Sequence, residues 1–161
     1  MRIYEQTKHA LWLLHSAYLA ETLLRHYDEH IHEARLILVY LYMRLGLGSL
    51  AIKLFESLKV KEIQHDTIGH TLFTRLAYCH PHTTLLGKAE ALDPLKRTKA
   101  ALDSYIRCEE RLADCEAAVL SHGQSGMLFD LQELRDTLRQ SLSRRIMILE
   151  WRRIQRLLKG T

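Results

Sequence analysis

A chain of 161 residues, 47% hydrophobic and 26% charged, is long enough to bury a core and lies outside the disordered composition class. Arg, Glu or His interrupts every apolar stretch, so none reaches the roughly 18 to 20 uncharged residues that span a bilayer, and Met1-Arg2-Ile3-Tyr4-Glu5-Gln6 lacks the pattern of a secretion signal. The net charge of +4 is local: the last 33 residues hold eight of the 23 basic side chains against four of the 19 acidic ones, and that difference is the whole excess.

With seven Gly and two Pro among abundant Leu, Ala, Glu, Arg and Lys, the composition predicts an all-α protein. Over residues 3–27, Leu13, Ala17, Ala20, Leu24 and Tyr27 recur at helical spacing and predict a first helix. A second is predicted over 31–45 on Ala34, Leu38, Leu41 and Leu45, and Gly46 and Gly48 mark the turn after it. A third, over 49–58 with Ala51, Leu54, Phe55 and Leu58, completes an antiparallel helical hairpin. Asp66 stands as the N-cap of a fourth helix carrying Ile68, Leu72, Leu76 and Cys79, which ends at His80-Pro81.

Residues 81–93 read as a connection. Asp93-Pro94 then has cap and first-turn chemistry, opening a helix through Leu95, Leu102, Tyr105 and Leu112 with a break expected near 107–109. Residues 121–126 read as a loop, and a single long basic helix over 128–158 is predicted to turn Leu131, Leu138, Leu142, Ile146 and Leu149 inward. No stretch alternates with period two, so no sheet is expected. The chain reads as one helical-repeat domain, with hairpins over 3–80 and the C-terminal helices over 94–161.

Tyr42, Gly46, Ala51 and Phe55 fall at the spacings of the tetratricopeptide (TPR) signature. In that reading Tyr42 closes the first helix, Gly46 permits the turn, Ala51 is small where the helices approach, and Phe55 fills the gap between them. Advancing by the 34-residue repeat reaches Asp66. Units of this kind bury their faces only against stacked neighbours.

The chemical candidates are sparse. His26, His30 and His32 sit close in sequence but read as solvated residues at a helix end, and no further motif completes a metal site. His80 and His82 flank a proline, and His65-Asp66 reads as part of a helix start rather than a base and its orienting carboxylate. Cys79, Cys108 and Cys115 form no CxxC pair and read as free, packed thiols. No phosphate loop, GxSxG elbow or HExxH pattern is present, nor an acetyl-CoA pyrophosphate loop, so no catalytic residue, cofactor or metal is expected. Arg144, Arg145, Arg152, Arg153, Arg156 and Lys159 form the candidate polyanion or partner surface, without the aromatic platform of sequence-specific nucleic-acid readers.

The segments 34–46 and 61–70 resemble the non-catalytic subunit of the NatB N-terminal acetyltransferase complex. The second is the more specific, because Ile63, Gln64, Asp66 and Thr67 fit that family's Ile-Gln-x-Asp-Thr run. Leu11-Trp12-Leu13-Leu14 and the region from Phe129 to Leu157 are similar more loosely. The resemblance implies an auxiliary, cytoplasmic role: a helical superhelix that holds the catalytic acetyltransferase subunit and brings it to the ribosome, the chemistry lying in the partner. The residues by themselves leave open a generic TPR-like adaptor or a basic RNA- or ribosome-associated helical protein.

Overall fold

The computed structural model describes residues 10–27, 31–61, 63–86 and 90–160. The start of the first predicted helix, and His30, lie outside them. The chain opens on α1 (Ala10–His26), α2 (His32–Leu45) and α3 (Gly48–Ser57), each packed on the one before it. Gly46, at φ 78°, adopts the left-handed conformation that ends α2, where a side chain would be strained. Leu38, Val39 and Leu41 of α2 and Ala51, Ile52 and Phe55 of α3 meet in the core. Tyr27, expected on the inward stripe of α1, is exposed beyond its end.

The predicted fourth helix is replaced by three short ones, α4 (Gln64–Ile68), α5 (His70–Phe73) and α6 (Leu76–Cys79). Thr67, Thr71 and Thr74 each donate a hydroxyl to the carbonyl three or four residues back, which competes with a regular helix. At Gly69 a Cβ would fall within 2.5 Å of both the His65 carbonyl oxygen and the methyl of Met147, so a side chain would not fit without a backbone shift. Asp66 is not the N-cap of this segment: that position is Ile63, and Asp66 sits within α4.

The connection over 81–93 is not all irregular, correcting the expectation of no sheet. β1 (Thr84–Leu86) pairs antiparallel with β2 (Glu90–Leu92), Thr84 opposite Leu92. With three residues each, the strands are too short to show a period. Asp93 caps α7 (Pro94–Ser121), accepting from the Lys96 N–H at 3.0 Å. α7 is continuous through 107–109, where a break was expected, and the buried Tyr105, Cys108 and Leu112 carry one stripe across that point.

The long terminal helix is in fact two, α8 (Ser125–Gln140) and α9 (Leu142–Lys159). Ser141 is extended (φ −50°, ψ 129°), and its hydroxyl oxygen caps α9 by accepting from the Arg144 N–H. The bend resets the inward face. Leu138 is buried as expected, but Leu142 and Leu149 are exposed, and α9 buries Met147, Glu150 and Ile154 instead. α8 packs on α7, while α9 crosses α7 and returns to α4, α5 and α6. The fold is all-α, with the small β hairpin between two groups of helices that share one hydrophobic cluster.

Candidate partner-binding surfaces

The four repeat-signature residues meet at the α2–α3 hairpin. Tyr42 is buried and its hydroxyl donates to Glu21 Oε1 at 2.5 Å, tying α2 to α1. Burial, reinforced by that carboxylate, raises its phenol well above the ordinary range. Ala51 is fully buried, and the Phe55 ring meets Phe73 edge to face at 6.0 Å.

In the segment carrying the family-like run, Ile63 is exposed, Gln64 Oε1 accepts from the Lys61 N–H at 2.9 Å, and the Thr67 hydroxyl bonds the Gln64 carbonyl. Asp66 does most. Its Oδ1 accepts from the Tyr105 hydroxyl at 3.0 Å and from Ser141, and its backbone carbonyl accepts from Ser143 at 2.7 Å. One carboxylate thus holds α4 to α7 and to the α8–α9 bend. Ser141 and Ser143 went unread in the sequence, where only the serine pair flanking Leu142 marks a place to bend a helix, and Tyr105 reads there only as part of a helical stripe.

His65 lies beside Phe55 with no hydrogen-bond partner on Nδ1 among the described residues. Burial, and then the charge of Arg107, holds its imidazole below the ordinary value of 6.5. The unfolded chain therefore takes up this proton at higher pH than the folded one. The contribution is fully present above pH 6.5 and is lost as pH falls through the folded value. Glu109 titrates in a lower window: burial alone would raise its carboxyl, but Arg144 and Arg139 overcome it and hold the group below 4.5. Melting temperature is expected to fall more between pH 7.5 and 5 in the parent than in His65→Gln, and equal slopes would remove His65 from this role.

The basic residues do not act as one patch. Arg144 is committed internally: it pairs with Glu109 and lies over the Tyr105 ring, 5.6 Å from its centre, which corrects its place among the polyanion candidates. Arg153 pairs with the buried Glu150 at 2.5 Å. Arg145, Arg152, Arg156 and Lys159 are exposed and succeed one another at intervals of seven, four and three, a single outward stripe on α9.

No group of three or more His, Cys, Asp or Glu among the described residues is placed to hold a metal. His26, His32 and His82 are exposed, and His80 bonds the Thr84 hydroxyl at 3.1 Å. Cys79 is half-buried with its thiol on the Met43 carbonyl, Cys108 is buried and Cys115 exposed. The strand-to-helix junction from β2 to α7, where an anion-binding loop would belong, is occupied by Asp93 and Pro94, and the Asp93 carboxylate takes the free N–H and repels an anion. Among the described residues no helix is long and apolar enough to cross a membrane.

The feature the periodicity underplayed is the outer side of α1. Leu13 and Ala17 face α2, and on the opposite side Leu11, Leu14, Tyr18 and Leu19 are about half to two-thirds exposed. Exposed apolar side chains on the side of a helix turned away from its neighbour form a candidate surface for a protein partner. Over residues 1–161 the chain matches the model of one protein family, described as the N-acetyltransferase B complex (NatB) non catalytic subunit. No curated protein and no solved structure matches it.

Proposed function

The chain belongs to the family of NatB non-catalytic subunits, and we propose that it is a cytoplasmic scaffold that binds the catalytic acetyltransferase subunit through the bare apolar face of α1 and contributes no catalytic residue of its own. The observation that carries this reading is that face. Leu11, Leu14 and Tyr18 present apolar surface that water does not favour, on a helix whose other side is already in the core. Packing on α2 and the hydrogen bond from Tyr42 to Glu21 hold that helix in place, which lowers the ordering cost of binding. Contact with the ribosome belongs to the same reading, and the outward stripe of Arg145, Arg152, Arg156 and Lys159 is the surface suited to phosphates.

Assayed alone with acetyl-CoA and Met-Asp or Met-Glu peptides, the chain is expected to show no turnover. Co-expressed with a NatB catalytic subunit, it is expected to co-purify with it, and Leu14→Arg with Tyr18→Arg to break that association while leaving the melting temperature unchanged. Turnover on the order of 1 s⁻¹ from the chain alone, or an association indifferent to both substitutions, would remove the scaffold reading as stated.

A further inference from the structure

The sequence singled out the arginines of the terminal helix, but nothing in it signalled that two of them line one groove with an aromatic residue from elsewhere. Between α6 and the last two turns of α9 runs a groove of about 980 Å³. Arg75 and Tyr78 border it from one side, Arg153 and Arg156 from the other, with Ala77, Pro81 and Leu157 supplying apolar surface between them. Tyr78 is 90% exposed, an unusual position for an aromatic ring that contributes to no core. Arg153 is engaged by Glu150, whereas Arg75 and Arg156 pair with no carboxylate among the described residues.

We propose that this groove binds an acidic peptide segment of a partner protein. The guanidiniums of Arg75 and Arg156, on opposite walls, take carboxylates by paired N–H donation. Tyr78, Pro81 and Leu157 take an aliphatic or aromatic side chain carried between those carboxylates. A nucleic-acid strand fits less well. Binding of a strand stacks successive bases on several rings and needs an uninterrupted basic track, and this groove has one ring and, at its floor, the buried carboxylate of Glu150. The proposal goes beyond the scaffold role and does not depend on the apolar face of α1, since the groove lies between α6 and α9; Arg156 stands at the edge that the groove shares with the outward stripe.

The test is fluorescence anisotropy on the chain alone, with three labelled probes: an octapeptide of alternating Glu and Leu, the same peptide with Gln for Glu, and octauridylate. The Glu peptide is expected to bind about tenfold more tightly than the Gln peptide, with affinity falling as salt rises from about 50 to 300 mM. Arg75→Gln with Arg156→Gln is expected to weaken it about tenfold, the size of two lost exposed charge contacts, and Tyr78→Ala severalfold. All three residues are exposed, so these variants keep the fold, as a melting curve checks. Arg153 is left in place because it satisfies Glu150. Arg145→Gln with Arg152→Gln, on the outward stripe, is expected to leave peptide binding unchanged. The proposal is overturned if the Glu and Gln peptides bind alike, if the groove and stripe variants weaken binding equally, or if octauridylate binds more tightly than the peptide and is lost in the groove variant.

Discussion

Phe55→Ala is expected to lower the unfolding free energy by about 3 to 5 kcal/mol. The ring is 5% exposed and sits where α3 meets α5, edge to face with Phe73 and beside His65. Truncation removes its buried surface and the aromatic contact, and leaves a cavity that Ile52 and Leu72, both anchored in the core, cannot relax to fill. Total stabilities of domains this size run from about 5 to 15 kcal/mol, so the loss is a large fraction and will show in a denaturation midpoint. Leu50→Ala is the control, since Leu50 on the same helix is exposed and its loss is expected to cost about 0.5 kcal/mol. Equal effects of the two substitutions would mean that Phe55 does not hold the α2–α3 hairpin to α5.

Glu150→Ala is expected to cost about 2 to 3 kcal/mol, through a polar contact instead of an apolar one. Glu150 is 2% exposed and its Oε2 accepts from the Ala77 N–H at 2.9 Å, satisfying a donor at the start of α6 that no carbonyl reaches. A hydrogen bond to a charged group contributes about 1.5 to 3 kcal/mol, and its removal strands the buried amide. Glu150→Gln keeps an acceptor and is expected to lose less. Glu150→Met refills the volume but not the bond, so it separates the cavity from the orphaned amide. A Met variant as stable as the parent would show that packing alone fixes α9 against α6. The ion pair with Arg153 adds little, because that guanidinium is 62% exposed.

The elements legible in the sequence are those that local chemistry decides. Gly46 ends α2 and Asp93-Pro94 opens α7 because the backbone conformations those residues favour are the ones adopted there. The helices α1 to α3 came from their periodicity. Asp66 could not be read this way. A carboxylate ahead of an apolar stripe looks like a cap, and its real partners, Tyr105 and Ser141, are 39 and 75 residues away. The face of α9 failed for a related reason. Counting on from Leu138 carries its phase through Ser141, but the bend there breaks the count, and a glutamate at an inward position disguises the new stripe. The groove was illegible as well, since Arg75 and Arg156 are brought together only by tertiary packing.

The return of α9 to α4, α5 and α6 has a consequence for how the chain comes apart. In a simple repeat array each unit touches only its neighbours and ends can fray one at a time. Here the bonds Ser141 to Asp66, Ser143 to Asp66 and Glu150 to Ala77 span 75, 77 and 73 residues. Closing a loop of that length costs about 4 kcal/mol in chain entropy, but the three bonds share one closure, so the second and third form at almost no further entropic loss. They therefore make or break together. Amide protons of α4 to α6 and α9 are expected to exchange with solvent in a single opening, and those of α1, which rests on α2, in a separate one of lower free energy.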